Sequence, residues 1–258
     1  MRWIALKTLA RRECLVVFRH WIVTLAPPVI ATTLYFTIFG EIMGDRIGPI
    51  EGLRYDRFVT PGLIAMSVIP GAYFHTAGGL LGARLFRYIE ELLVSPMPRW
   101  MILVGYVIGG ALRGLMVAVT VALVSVVFAH PQVHSISVSA ATLLMAAVIA
   151  SAFGVIIGTF ARRFEHVTSI QILILAPLTY VGGVFAPIST LPGWARELSY
   201  ANPMFHVVNA LRYGVLGISE VSIGWSLSFI ATFAILLLVL STIMTARGSG
   251  LGGEPSNP

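Results

Sequence analysis

Six long apolar windows limit the fold of this chain more than any other feature of its sequence. Five of them contain no charged residue, and the sixth contains a single arginine, Arg113. Each window is at least as long as the roughly 20 residues with which an α-helix crosses a bilayer. The windows are Trp21–Gly40, 58–83, 101–129, 136–161, 167–188 and 221–246. The sequence therefore predicts an all-α integral membrane fold with six transmembrane helices.

The composition agrees with this prediction. Hydrophobic residues make up 57% of the 258 residues and charged residues only 11%, whereas about a quarter of the residues in a soluble domain are charged. This balance excludes a soluble globular fold. We expect one membrane domain over 1–258, made of an interfacial helix (1–20), a six-helix membrane part (21–246) and a glycine-rich, disordered cytoplasmic tail (247–258).

The basic residues indicate the orientation, because Lys and Arg are enriched on the cytoplasmic side of a membrane. Six crossings place both termini on one side. If that side is the cytoplasm, eleven basic residues lie inside (Arg2, Lys7, Arg11, Arg12, Arg19, Arg84, Arg87, Arg99, Arg162, Arg163, Arg247) and five outside (Arg46, Arg54, Arg57, Arg196, Arg212). The sequence therefore predicts cytoplasmic termini. This bias also explains the net charge of +6 without a nucleic-acid partner, since the sequence has no basic patch interleaved with aromatic residues.

Residues 1–20 are too charged to cross the membrane. Apolar side chains recur there every three or four residues, as in a helix that lies at the membrane surface; they are Trp3, Leu6, Ala10, Cys14, Val17 and Trp21. Arg11, Arg12 and Glu13 interrupt the apolar stretch that a signal peptide needs, so we expect this helix to stay attached. Cys14 is the single cysteine, which excludes a disulfide framework within the chain.

A short charged segment, 84–99, separates the second and third windows. Its apolar residues Leu85, Ile89, Leu92 and Leu93 follow helical spacing, and two prolines end the pattern. The sequence predicts one amphipathic helix outside the hydrocarbon. Two roles stay open for it, an ordinary loop helix between two spans or a helix that docks on another protein.

Two motifs in this order resemble the ABC-2 type transport permease family. The first is Glu90-Glu91-Leu92-Leu93-Val94-Ser95-Pro96, followed in the next span by Gly105-Tyr106. The second is Pro177-Leu178-Thr179-Tyr180-Val181-Gly182-Gly183-Val184-Phe185, followed by Leu191-Pro192, Asn202-Pro203, Arg212-Tyr213-Gly214 and Gly217. The resemblance runs over nearly the whole chain and is greatest to the half-size permeases of the bacterial inner membrane.

The resemblance implies a partner and a location. In this family a coupling helix docks into a groove of a separate soluble ATPase, which implies ATPase-coupling roles for Arg87, Glu90, Glu91, Leu92, Leu93 and Pro96. A second contact is expected at Arg11, Arg12, Arg162 and Arg163, although attraction to anionic lipid explains the first two equally well. The family implies a permease homodimer with two ATPase subunits in the bacterial inner membrane. ATP and Mg would be bound by the partner, and this chain is expected to hold no cofactor or metal.

The resemblance also implies a translocation pathway along the fifth span, with Tyr180, Gly182, Gly183 and Phe185, and we assign Arg113 to the same pathway from its charge. Arg113 is the single charge inside a window, and a charge that faces lipid is unfavourable by about 2.5 to 3.5 kcal/mol. It should therefore face the bundle, either as a structural brace or as a contact for a substrate or phosphate head group. His75, in the second window, should also face protein or a cavity. Proton coupling would need further titratable groups near it, and that window contains no carboxylate.

The stretch between the fifth and sixth windows is expected to enter the membrane without crossing it. Its apolar run, 198–211, is too short to cross and is interrupted by Asn202-Pro203. We predict a re-entrant pair of short helices around 194–200 and 204–216, near the outer surface. The family signature in this stretch consists of Asn202, Pro203, Arg212 and Gly217.

The chain carries no ATPase motif of its own. A P-loop needs glycines ahead of a Lys-Ser/Thr pair, but Met1 and Leu6 stand at those places before Lys7-Thr8. We therefore predict the permease subunit of an ATP-binding-cassette exporter, not itself an enzyme, that moves a lipid-like, saccharide or drug-like substrate outward. The alternative is an ATP-independent secondary transporter or channel, which the lack of intramembrane acids disfavours. An intramembrane enzyme would need clustered Asp, Glu or His, and the sequence shows no such cluster.

Overall fold

A computed structural model describes residues 2–42, 44, 48–95 and 97–246, and within these ranges the chain contains helices and no β-strand. The helices are α1 (Arg2–Arg19), α2 (Trp21–Phe36), α3 (Tyr55–Leu85), α4 (Tyr88–Val94), α5 (Arg99–Ala129), α6 (Ile136–Phe160), α7 (Phe164–Ile170), α8 (Ala176–Val181), α9 (Gly193–Ala201), α10 (Pro203–Leu216) and α11 (Ile223–Ala246). The tail predicted at 247–258 lies outside the described residues.

Within the described residues, six helical stretches are long and apolar enough to cross a membrane, which confirms the predicted all-α fold with six candidate spans. They are Trp21–Gly40, Tyr55–Leu85, Arg99–Ala129, Ile136–Phe160, Phe164–Val181 and Ile223–Met244. The first of these ends within a π-helical segment, Thr37–Ile42, and the fifth contains one, Gln171–Leu175.

The central helix of the bundle is α3. In its most apolar window 72% of the residues are buried, compared with 17% in the spans that contain α2 and α7. Glycines on its neighbours let them approach closely, as is common between helices in membranes. A Cβ on Gly110 of α5 would collide with the Thr76 side chain, and one on Gly158 of α6 would lie 2.7 Å from the carbonyl oxygen of Ala77. Close packing around α3 therefore depends on small residues of α5 and α6.

The helix α1 packs on α5 through a face that shares Val17 with the predicted apolar stripe but has Leu9 and Glu13 where the prediction had Ala10 and Cys14. Leu9, Glu13 and Val17 are buried, and they follow each other at intervals of four residues. Gly105 makes room for this face, because a Cβ there would lie 2.6 Å from Leu9 Cδ2. Trp3 of the predicted stripe is exposed. This helix therefore has a protein-facing stripe that the apolar pattern alone did not identify.

The single helix predicted over 84–99 is divided in the structure. The long helix α3 continues to Leu85, and α4 covers only seven residues, Tyr88–Val94. Between them Arg87 has a φ of 60°, the left-handed conformation that a residue other than glycine seldom adopts. The prediction of one continuous helix was wrong, because this turn separates the end of α3 from α4.

The fifth span is shorter than the predicted window 167–188. Its helix ends at Val181, and Gly182 and Gly183 then turn the chain. Gly183 has a φ of 79°, which costs glycine little because it lacks a Cβ. The apolar window missed this end because the residues after the turn, including Val184 and Ile188, are also apolar and buried.

The helices α9 and α10 are present at the positions predicted for two short helices. The longer helix α10 is buried along most of its length and packs against α3, α6 and α11. Whether the pair enters a membrane stays a prediction. The helix α6 begins beside the C-terminal end of α10, where Ser135 N–H donates to Gly214 O, and it ends in the region of α4. We therefore call the two ends of the bundle the α10 end and the α4 end.

Candidate functional site

One face of α4 packs on the bundle and the other is exposed. Ile89 is buried in a cluster with residues of α3 and α5, and Leu92 and Leu93 pack partly buried against the same cluster. Glu90 and Glu91 are exposed. The two leucines thus attach α4 to its own chain, and their predicted role in holding a partner stays a prediction.

Exposed apolar side chains flank α4 on both sides. Phe86, in the turn before it, is 75% exposed, and Val94, its last residue, is 87% exposed. Together with Glu90 and Glu91 they form what we call the α4 surface, in which apolar side chains adjoin two carboxylates. Helical spacing could not identify Phe86 and Val94, because it does not tell which apolar residues the rest of the chain covers.

Basic residues of two other segments lie near α4. The Arg12 guanidinium of α1 lies 4.9 Å from the centre of the Tyr88 ring, within the range of a cation–π interaction. Arg84, at the end of α3, donates hydrogen bonds to the carbonyl oxygens of Gly158 (3.1 Å) and Ala161 (2.9 Å).

These contacts bring the predicted second ATPase contact to the α4 end. Arg162 and Arg163 follow Ala161 directly and are exposed, as are Arg11 and Arg12. Of the predicted coupling residues, Pro96 lies outside the described residues, and Arg87 lies in the turn that precedes α4.

A buried acid–histidine pair joins α1 to the central helix. Glu13 Oε2 and His75 Nε2 are 3.2 Å apart, and the two side chains are only 6% and 5% exposed. Gly109 of α5 makes room for both, since a Cβ there would lie 2.6 Å from His75 Nε2 and 2.7 Å from Glu13 Cβ. The sequence interpretation missed this pair because it looked for carboxylates within the spans. The available signal was the position of Glu13 on the same helical face as Leu9 and Val17.

A cavity of about 690 Å³ lies between α2, α3 and α5. Most of its wall is apolar, with Pro27, Pro28, Met66 and Phe74 among the lining residues. Arg113 lines it as well, and its Nε atom is buried without a hydrogen-bond partner among the described residues. The structural interpretation of Arg113 required a carboxylate or carbonyl group that braces the guanidinium. No described group of this kind bonds to the Nε atom.

An aromatic cluster lies beside this cavity and connects it to the fifth span. Tyr35 lines the cavity, and its ring centre lies 5.9 Å from that of Phe185. Tyr180 stacks on Phe185 at 6.0 Å. Tyr55 donates a hydrogen bond of 3.1 Å to the Phe185 carbonyl oxygen. Phe185 thus contacts Tyr35 on the cavity wall, and Tyr180 stacks on Phe185 behind it.

Two other predicted pathway residues, Gly182 and Gly183, are buried against α10. A Cβ on Gly182 would lie 3.1 Å from Met204 Cβ, and the Gly183 carbonyl oxygen accepts a 2.6 Å hydrogen bond from Arg212 Nη2. The geometry of both residues serves a turn that contacts α10. Their part in a pathway stays a prediction.

Arg212 is the centre of a polar network at the α10 end. It is 1% exposed, donates to Glu220 Oε1 at 2.7 Å, and lies with its Cζ atom 4.2 Å from the centre of the Phe58 ring. The second oxygen of Glu220 accepts a 2.9 Å hydrogen bond from the Ile188 backbone N–H. Burial lowers the pKa of the Arg212 guanidinium, and the nearby Glu220 carboxylate offsets only part of this shift. This network ties α10 to the two loops that flank the helix pair.

The other signature residues begin and end α10. Asn202 Oδ1 accepts from the Met204 backbone N–H at 2.9 Å, which caps the helix, while its Nδ2 donates to the Leu178 carbonyl oxygen at 2.6 Å. Pro203 occupies the first turn, where a missing N–H is harmless. Gly217 ends the helix with a φ of 77°.

Sequence reasoning missed two buried polar residues of α10. Asn209 Nδ2 donates to Val221 O (3.0 Å) and to Ser226 Oγ (2.9 Å). His206 Nε2 lies 2.9 Å from the Tyr200 carbonyl oxygen. Burial lowers the pKa of His206, and the hydrogen bond to the Tyr200 backbone offsets only part of this shift. No local pattern distinguishes these residues, because their partners lie in separate segments.

Comparison with known proteins identifies a family over most of the chain. Residues 4–216 match the family described as ABC-2 type transporter. This range includes the first motif, the second motif except Gly217, and every helix from α2 to α10.

Curated relatives support the same match. The chain is 42% identical over 249 residues to the inner membrane transport permease YadH of Escherichia coli K12, which covers 96% of this chain and 97% of that protein. It is 21% identical over 224 residues to nodulation protein J of Rhizobium meliloti, covering 86% and 84% of the two chains. Both alignments cover most of each protein.

Proposed function

The chain belongs to the ABC-2 type transporter family, and from this premise we propose that it is the membrane half of an exporter whose soluble ATPase docks on the α4 surface. A permease of this family is a membrane subunit and not itself an ATPase, and the family implies a partnering ATP-binding subunit. The six apolar spans and the relation to an inner membrane permease are consistent with a multi-pass inner-membrane protein.

The proposed assembly contains two permease chains and two ATPase subunits, with the α4 end in the cytoplasm. The excess of basic residues on the predicted inner segments supports this orientation. ATP and Mg would be bound by the partner. Hydrolysis would move a lipid-like, saccharide or drug-like substrate outward.

The observation that carries the proposal is the α4 surface itself. Phe86 and Val94 expose apolar area on either side of Glu90 and Glu91, two exposed carboxylates with no ion-pair partner among the described residues. In a protein interface the apolar groups supply most of the affinity, and the charges select the partner and its orientation. The exposed arginines of α1 and of 162–163 extend this surface at the same end.

The packing of α4 supports a transmission role. Ile89 is buried among Leu80 of α3 and Ile102 of α5. Since protein interiors are close-packed and transmit displacement, a push on α4 would reach the central helix directly. Glu13 and Arg12 of α1 contact His75 and Tyr88 respectively, so α1 would move with the same group of helices.

The test is charge reversal on the α4 surface. The permease would be purified with its candidate ATPase as wild type and as Glu90→Lys/Glu91→Lys. We expect the double variant to bind the ATPase at least about tenfold more weakly and to lose coupled ATP hydrolysis and transport. Its thermal unfolding in detergent should be unchanged, because both carboxylates are exposed and have no described ion-pair partner.

Glu197→Lys is the matched control. Glu197 is an exposed acid on α9, at the opposite end of the bundle, so reversing its charge should leave ATPase binding intact. The proposal fails if the double variant binds the ATPase and transports as wild type does.

A second candidate function, ATP-independent proton-coupled transport, is favoured by the Glu13–His75 pair, which supplies the titratable groups that such a carrier needs. Proteoliposomes of the permease without ATPase, loaded with a pH-sensitive dye, distinguish the two. Substrate-dependent proton movement that Glu13→Gln abolishes would support the carrier. Flux that requires ATP and the partner subunit would support the exporter.

A further inference from the structure

The cavity between α2, α3 and α5 combines one cation with a largely hydrocarbon wall. Pro27, Pro28 and Ala31 of α2 face Met66 and Phe74 of α3 across it. The polar groups on its wall are few. Thr24, Thr32, Tyr35 and Ser67 supply hydroxyls, and among the described residues that line it Arg113 supplies the single formal charge. A ligand that fits this wall is mainly apolar.

Arg113 differs from the other two arginines that the bundle takes in. Arg212 has Glu220 and the Gly183 carbonyl oxygen, and Arg84 has two carbonyl oxygens of the α6 end. The Nε atoms of Arg113 and Arg212 are both buried without a partner, but Arg113 also has no hydrogen bond or ion pair at its terminal nitrogens in the part of the chain that the structure describes. The fold therefore pairs its structural arginines and leaves this one facing the cavity.

A guanidinium in apolar surroundings is stabilised by an anion, and best by a planar or tetrahedral oxyanion that accepts two parallel hydrogen bonds. Phosphate and carboxylate groups have this geometry. The apolar wall meanwhile favours burial of hydrocarbon. The two requirements are met together by an amphiphile with an anionic head and an alkyl or isoprenoid chain.

We propose that this cavity binds an anionic amphiphile with its phosphate or carboxylate on Arg113, and that such molecules are the transported substrate class. The second half of this statement rests on the proposed exporter function. Thr24 and Thr32 supply hydroxyls that can donate to the head group, whereas the Ser67 hydroxyl already donates to the Ile64 carbonyl oxygen. Phe74, Met66 and the proline pair contact its chain. A neutral saccharide or a cationic drug lacks the group that Arg113 requires.

The binding test uses dodecyl phosphate as the probe and dodecanol as its uncharged counterpart, titrated by calorimetry into the full-length permease in a neutral detergent. Wild type should bind dodecyl phosphate, and Arg113→Gln should weaken this at least about tenfold, the effect of losing a charge-assisted hydrogen bond. Arg113→Lys should retain most of the affinity. Dodecanol should bind weakly and equally to all three.

Two further variants keep the test independent of folding. Ala31→Phe narrows the cavity without altering its charge and should also weaken binding. Arg19→Gln removes an exposed arginine of α1 and should leave the affinity for dodecyl phosphate unchanged. Equal affinity of wild type and Arg113→Gln for dodecyl phosphate, or equal affinity of wild type for dodecanol, would overturn the proposal.

A final arm asks whether the ligand is substrate. With the ATPase partner bound, dodecyl phosphate should stimulate ATP hydrolysis in wild type and not in Arg113→Gln. Binding that depends on Arg113 without any stimulation would overturn the substrate assignment and identify a resident lipid site instead. Failure of the exporter function itself is recognised separately, because the ATPase would then not co-purify with the wild-type permease at all.

Discussion

Glu13, Arg212 and Arg113 are ionisable side chains of the helical bundle whose partners differ. Glu13 faces His75 at 3.2 Å, and Arg212 is paired with Glu220 at 2.7 Å. Arg113 has no ion-pair partner among the described residues. Removing one member of a buried pair leaves the other unpaired in a low dielectric, which destabilises a protein far more than the pair stabilised it.

This difference predicts opposite outcomes for two equivalent substitutions. Arg212→Gln should lower the stability by about 3 to 5 kcal/mol, because it leaves the Glu220 carboxylate and the Gly183 carbonyl without the guanidinium. Arg113→Gln removes a charge that no described protein group compensates, so stability should be unchanged or higher. Thermal unfolding of both variants in one detergent measures this. A comparable loss in both would mean that Arg113 is a structural brace after all.

Glu13 predicts how firmly α1 is held. Glu13→Ala removes the acid that faces His75 at the junction with α5 and should destabilise the docked helix by about 2 to 4 kcal/mol. Trypsin should then cleave at Arg11, Arg12 or Arg19 faster than in wild type. Glu91→Ala removes an exposed acid of α4 and serves as the control. Equal cleavage rates in the two variants would argue against docking through Glu13.

At the level of single residues, the sequence revealed which charges were unusual but not what they contact. Arg113 stood out because no other charge lies inside an apolar window. Glu13, His206 and Asn209 did not stand out, because their burial depends on partners from distant segments. A polar residue on an otherwise apolar helical face, such as Glu13 between Leu9 and Val17, is the one local signal that was available.

The positions of helices could be predicted from the sequence wherever one physical requirement determines them. A long charge-free window has to satisfy its backbone internally, so all six spans were predictable. Ends of helices depend on local backbone conformation instead. The left-handed Arg87 and the turn at Gly183 ended helices at places where the apolar pattern continued.

Packing of α5 on α3 predicts a sharp difference between two glycines. Gly110→Ala should destabilise the bundle by about 1 to 3 kcal/mol, because its Cβ would collide with Thr76 and would lie 2.9 Å from the Ala72 carbonyl oxygen. Gly82→Ala on α3 meets nothing within 4 Å and should be neutral or stabilising by up to about 1 kcal/mol. Thermal unfolding and expression level report both, and equal behaviour of the two variants would contradict the close approach.

At the scale of the whole molecule, burial is unevenly distributed among the spans. The central helix α3 is enclosed, whereas the spans Trp21–Gly40 and Phe164–Val181 are each only 17% buried. Sequence could not reveal this, because lipid-facing and protein-facing apolar side chains have the same composition. An aromatic cluster joins these two spans, because Phe185 lies 5.9 Å from Tyr35 of the first and stacks on Tyr180 of the fifth.

In the proposed homodimer, we expect the second copy of the chain to pack on the exposed residues of the spans Trp21–Gly40 and Phe164–Val181. In a Cys14→Ser background, Leu173→Cys, 73% exposed on the fifth span, should form a disulfide-linked dimer in membranes under mild oxidation. Leu123→Cys, 64% exposed on α5, is the matched control and should stay monomeric, because it lies outside the sparsely buried spans. A two-fold axis brings equivalent residues of the contact face together, and random collision in the bilayer would link both variants equally. Equal linkage of the two variants, or no linkage at Leu173, would therefore place the dimer contact elsewhere.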